Sequence, residues 1–120
     1  MFSTKKIYEF INAHYHKSID LQDVVKYFGF SATYITEIVK KQTGEPINCL
    51  IIKRQLTAAR TLLLKTEKSI ERIAEEVGYQ SLNDFFRQFR QYYGNSPESW
   101  RKANLSDRFI YNMLELEIVH

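Results

Sequence analysis

Apolar residues recur along this chain at the spacing of a helix face, and the recurrences come in two matching sets. In the first, Leu21, Val24, Val25 and Phe28 stand at i, i+3, i+4 and i+7 behind Asp20, a natural N-cap. Gly29 follows where a helix end needs a left-handed residue. Ser31 then opens a helix with Ile35, Ile38 and Val39 inward, closing at Gly44. In the second set Ser69 precedes Ile70, Ile73, Ala74 and Val77, where the helix is expected to end before Gly78. Ser81 with Asp84 reads as an S-x-x-D capping box for a helix with Phe85, Phe89 and either Tyr92 or Tyr93 inward, stopping at Gly94.

The two sets keep register. Leu21 and Ile70, Val24 and Ile73, Val25 and Ala74, Phe28 and Val77, and Gly29 and Gly78 are each 49 positions apart. Ser31 and Ser81, Ile35 and Phe85, Val39 and Phe89, Lys40 and Arg90, and Gly44 and Gly94 are 50 apart, as if the second turn had gained one residue. Pro46 and Pro97 then match at 51. This is the signature of an internal duplication. Two short helices joined by a Gly-containing turn form a helix-turn-helix, whose second member can enter the DNA major groove.

Other segments space and support the copies. Thr4 to about Tyr15 reads as an amphipathic packing helix with Ile7, Phe10, Ile11 and Tyr15 inward. Pro46 to about Leu64 reads as one longer helix with proline in its first turn and Leu50, Leu56, Ala59, Leu62 and Leu63 along one side. Its rise, roughly 28 Å, is close to the ~34 Å between successive major-groove faces of B-DNA. Ser96 and Pro97 open a short closing helix with Trp100 inward. Residues 104–120 suit either a helix or, at LELEIV, a strand, and form either a packed tail or an attachment surface. The expected architecture is all-α, about seven helices: a helix-turn-helix subdomain over 1–45, a linker helix over 46–65, a second helix-turn-helix over 66–104 and an extension over 105–120.

Composition narrows the class without choosing the partner. At 120 residues, 44% hydrophobic and 14% aromatic, the chain can form one compact body or two very small ones. It has no apolar run of membrane-spanning length, and MFSTKKIYEF lacks a signal-peptide core, which points to the cytoplasm. Cys49 has no internal partner, no Cys/His set has metal spacing, and His14 and His16 lie about 200° apart on a helix, so they read as surface residues. No metal or other cofactor is expected. No nucleophile elbow, phosphate loop or Cys/His dyad can be assembled, so an enzyme is not expected. Net charge of +3 and a pI near 9.0 are mild.

The inward residues define the outward ones. In the second recognition helix Leu82, Asn83, Phe86, Arg87 and Arg90 remain on the outer arc. Arg87 is the candidate for bidentate contact to guanine, Asn83 for adenine, and Phe86 or Leu82 for a thymine methyl. In the first unit Ala32, Thr33, Thr36, Glu37 and Lys40 face out. Lys40, Lys41, Arg54, Arg90 and Arg101 are candidates for phosphate.

From about Ile7 to Arg101 the chain resembles the DNA-binding module of the AraC/XylS family of bacterial transcription regulators. SIERIAEEVGYQSLNDFFRQFRQYYGNSPESWR carries the more specific pattern, with Ile73-Ala74, Val77-Gly78-Tyr79, Phe85, Phe89, Gly94 and Ser96-Pro97 at the family's positions. Val39, Leu50 and Trp100 depart from it by core exchanges, and Glu37 is an acid where phosphate repels it unless it accepts from a cytosine amino group. The resemblance implies two helix-turn-helix units on a linking helix, double-stranded promoter DNA as partner, contact with RNA polymerase, and a place at the bacterial nucleoid. It places Thr33, Thr36, Glu37, Leu82, Asn83, Phe86 and Arg87 where the family reads bases, with more discrimination from the second unit. It also implies a module that is monomeric in isolation and is either a stand-alone regulator of minimal size or a piece of a larger regulator that dimerises. The competing expectation is a helical protein-interaction module with the same stripes and caps.

Overall fold

Small polar side chains take over the backbone N–H groups left unpaired at helix starts, and they set the element boundaries. In this computed structural model, which describes residues 3–104, Asp20, Ser31, Ser69, Ser81 and Ser96 are all N-caps. The helices are α1 Thr4–His14, α2 Leu21–Phe28, α3 Ala32–Thr43, α4 Ile47–Lys65, α5 Ile70–Glu76, α6 Leu82–Tyr93 and α7 Pro97–Ala103. A 3-10 turn, Tyr15–Lys17, follows α1, and the described residues contain no strand. The alternatives for residues 105–120 lie outside the described residues.

Several boundaries differ from expectation for identifiable reasons. The reciprocal capping box forms at Asp20, whose carboxylate accepts from the Asp23 N–H at 3.2 Å while the Asp23 carboxylate accepts from the Asp20 N–H at 2.8 Å. At Ser81 half of the box forms: Ser81 Oγ accepts from the Asp84 N–H at 3.2 Å, and the Asp84 carboxylate turns to Arg87 instead. Pro46 is not in the first turn of α4 but is its N-cap, whereas Pro97 is the first residue of α7. The structural register therefore stays at 50, Pro46 against Ser96 and Ile47 against Pro97, and the proline match at 51 is not a structural equivalence.

The residue added in the second turn follows from two ways of ending a helix. After α2 the Gly29 N–H donates to the Val25 carbonyl at 2.9 Å, a single closing bond. After α5 the Tyr79 N–H donates to Ala74 and the Gly78 N–H to Glu75, at 2.9 and 3.1 Å, which is the Schellman arrangement. Gly78 sits at φ +99°, with its Cα so close to the 3-10 turn that a Cβ would lie 2.5 Å from the Tyr15 carbonyl oxygen.

Two buried clusters share α4. Ile7, Phe10, Ile11, Val24, Ile35 and Val39 pack with Ile47, Leu50 and Ile51 from its first half. Ile73, Ala74, Val77, Phe85 and Phe89 pack with Leu56, Ala59 and Leu63 from its second half. Tyr15 touches both clusters. The linker is thus not a bare spar: its apolar residues spread around the helix because each half belongs to a different core. The buried Gln55 donates Nε2 to the Tyr15 carbonyl at 3.3 Å, and Ser18, left-handed at φ 58°, donates Oγ to the Gly78 carbonyl.

Candidate nucleic-acid interface

Helices α3 and α6 occupy the same place in the two repeats, and each divides along its length into a buried and a free face. On α3, Ile35 and Val39 are fully buried and Ile38 partly so, while Thr33, Thr36, Glu37, Lys40 and Lys41 are exposed. On α6, Phe85 and Phe89 are fully buried, while Asn83, Phe86, Arg87 and Arg90 are exposed. The choice between Tyr92 and Tyr93 resolves to Tyr93, whose ring lies 4.7 Å from Phe89 and 6.5 Å from Trp100. Tyr92 is only 37% exposed, beside the thiol of Cys49, and partial desolvation and that thiol raise its phenol above the ordinary value.

The free faces carry opposite chemistry at equivalent positions. Arg87 presents hydrogen-bond donors, and Glu37, its counterpart at offset 50, presents acceptors. Arg87 is held by Asp84 through an Nη2 to Oδ1 bond of 2.9 Å. Phe86 is 37% exposed and its ring lies 6.2 Å from Phe85, so it keeps an accessible edge. Leu82 is half-buried against the second cluster and offers less surface than expected. Lys40 and Lys41 stand in the last turn of α3 and Arg90 in that of α6, where positive charge also complements the helix dipole. No ion pair joins these three to an acid among the described residues.

Two arginines are held by the fold. Arg101 donates from Nε to the Leu63 carbonyl and from Nη2 to the Thr66 carbonyl, each at 3.2 Å, closing the C-terminal end of α4. Burial lowers its pKa from the ordinary arginine value. Arg54 donates from Nε to Asn12 Oδ1 at 2.7 Å and lies 4.4 Å over the Tyr15 ring. Both tie helices together, which explains their presence without phosphate. His14, read as a surface residue, is half-buried with its ring 4.6 Å from Phe10.

The sequence reading missed three pairs. Phe30 meets Tyr34 in a tilted ring contact, centroids 5.0 Å apart, at the start of α3, and the Tyr79 phenol, pushed well above its ordinary value by burial, donates to Gln88 Oε1. Tyr79 is thereby fixed across the second turn, and the i, i+9 separation carries no periodic signal. The Asp84–Arg87 pair had such a signal, an acid three residues before a base on one helix face.

A family model described as a helix-turn-helix domain matches residues 24–103, two thirds of the chain. The chain belongs to the AraC/XylS family. It is 33% identical over 95 residues to the Xylose operon regulatory protein of Escherichia coli K12, an alignment that takes in 79% of this chain and 24% of that protein. The chain thus spans about a quarter of that relative's length. The C-terminal domain of AraT, a response regulator from Geobacillus stearothermophilus, superimposes with a TM-score of 0.81 at 30% identity, covering 83% of this chain and 84% of that one. The DNA-binding domain of AdpA, a global transcriptional factor solved in complex with a target DNA, has the same TM-score at 21% identity, over 87% of this chain and 94% of that one, which shows a shared fold. Within the AraC/XylS fold, α3 and α6 are the second helices of the two helix-turn-helix units. Among the described residues no helix is long and apolar enough to cross a membrane.

Proposed function

We propose that this AraC/XylS module binds double-stranded promoter DNA by laying α3 and α6 into successive major-groove segments, and that it regulates transcription there. The observation that carries the reading is the paired division of these helices, each capped by serine, each buried along one face and each free along the other in the same register. The described residues extend 47 Å along their longest axis, which leaves room for two helices ~34 Å apart. The AdpA complex supports it as a shared fold seen on DNA. Asn83, Phe86 and Arg87 are the main base readers, with a smaller share for Leu82 and, on α3, for Thr33, Thr36 and Glu37. Lys40, Lys41 and Arg90 meet phosphate. RNA polymerase is the proposed further partner, with a dimerising regulator around a monomeric module.

The test is the affinity for random duplex DNA over a series of salt concentrations. The expected result is a straight log–log fall with a slope of about −0.9 per phosphate neutralised, so about −3 if Lys40, Lys41 and Arg90 each meet one. A flat line would remove DNA and favour a protein partner.

A further inference from the structure

Arg87 has a long side chain that is mostly exposed, so it has rotamer entropy to lose when it is fixed on a base. Exposed arginines near DNA also have a nearby competitor for the base in the phosphate backbone. In this structure the guanidinium is already held. Its Nη2 donates to Asp84 Oδ1 at 2.9 Å, three residues back on α6. Asp84 is available for this because its place in the cap uses the backbone: the N–H of Asp84 donates to Ser81 Oγ, and the carboxylate is left out of the reciprocal bond seen at Asp23.

A guanidinium has five N–H donors, and one bond to Asp84 leaves a hydrogen on Nη2 and two on Nη1 for a guanine O6 and N7. Asp84 Oδ2 accepts no hydrogen bond among the described residues. It stands beside the reader, at the first turn of the helix, where an acceptor can meet a cytosine N4 or adenine N6 amino group. The first unit has no such device, since the offset-50 counterparts of Asp84 and Arg87 are Tyr34 and Glu37.

We propose that Asp84 is a positioning and specificity residue: it aims Arg87 at guanine and reads an amino group on the neighbouring base pair. The inference rests on the DNA-binding reading above. As an isolated exposed ion pair it contributes little to folding, so its effect falls on discrimination. A carboxylate close to phosphate also weakens binding to every sequence alike. Removing it therefore moves two quantities in opposite directions.

The experiment uses the full chain and three duplexes: a site selected from a random pool, the same site with the guanine assigned to Arg87 replaced, and random sequence. Asp84→Asn and Asp84→Ala are expected to bind random DNA a few-fold more tightly and to lose about tenfold of the preference for guanine, with preference at the adjoining base pair also relaxed. Asp84→Glu is expected to restore part of the discrimination. In an Arg87→Ala background Asp84→Asn is expected to leave guanine preference unchanged, as a double-mutant cycle requires of a residue acting through another. Affinities that shift by one common factor on all three duplexes would overturn the proposal, as would guanine loss of equal size with and without Arg87. Circular dichroism checks that the overall helix content persists, and Asn, which keeps the size of Asp, serves if Ala does not fold. Wild-type protein that selects no site at all would instead overturn the DNA reading, and this proposal with it.

Discussion

At the residue scale, Gly78 and Gly29 occupy the same place in the two repeats and have different jobs. Both are left-handed, at φ +99° and +76°, so a side chain at either is strained. Gly29 has open space around it, whereas a Cβ on Gly78 would meet the Tyr15 carbonyl oxygen at 2.5 Å and the Gln55 amide at 3.0 Å. Gly29→Ala is expected to cost about 1 kcal/mol of backbone strain and Gly78→Ala at least about 2 kcal/mol more, by the same urea titration. Equal losses would mean the joint yields without resistance. Arg87→Ala is expected to lower affinity for the preferred site by about 1–3 kcal/mol and to relax preference at one base, read by competition with single-base variants. Sequence reasoning placed Arg87 on the exposed face, because an outward arginine follows from an inward Phe85 and Phe89. It could not find that Arg101 and Arg54 are held by carbonyls, an amide and a ring, because those partners are 35 to 42 positions away.

At the element scale, helix ends were legible and helix partners less so. Caps and glycines are local, and their chemistry fixes where α2, α3, α5 and α6 begin and stop within a residue. The proline match was misleading because proline suits both an N-cap with extended ψ and a first helical residue, and Pro46 and Pro97 use one each. The double allegiance of α4 appears in its sequence as a broad apolar surface, since Ile51 packs into the first cluster and Ile52 against the second. α5, one residue shorter than α2, receives extra support from Lys68 before it and Arg72 within it. Its Glu76 accepts from Lys68 Nζ at 2.9 Å and from Arg72 Nε at 3.1 Å. The bond from Lys68, more than that from Arg72, holds the Glu76 carboxyl below its ordinary 4.5. A carboxyl whose folded pKa is depressed adds stability above its unfolded pKa, and the contribution is lost as pH falls through the folded value. Glu76→Gln is therefore expected to lower the melting temperature slightly near pH 7 and to match the wild type well below pH 4.5, where both side chains are neutral. A difference that persists in acid would assign the role of Glu76 to packing instead of charge.

At the scale of the whole molecule, the decisive feature is the joint between the repeats. The shared helix α4, the Tyr15 ring between two cores, the Gln55 amide on the Tyr15 carbonyl and the Ser18 hydroxyl on the Gly78 carbonyl all connect one unit to the other. A continuous helix packed into both cores sets their distance and their rotation about its axis, and the other contacts hold that arrangement. Nothing in the duplication foretold those contacts, since they join the end of α1 to the turn of the other copy. A fixed joint has a consequence for DNA. Two reading heads in one orientation require half-sites about one helical turn, 10–10.5 base pairs, apart. Inserting about five base pairs between them turns one half-site to the opposite side of the duplex, and one head must then leave. The affinity expected there is that of a single half-site with its phosphate contacts, with a correspondingly shallower salt slope. Gly78→Ala, if it folds, opens the joint and is expected to shrink the difference between correctly and wrongly spaced sites while sparing isolated half-sites. Measured affinities that ignore the insertion in the native protein would show that the two units move independently, whatever the contacts at Tyr15 and Gly78.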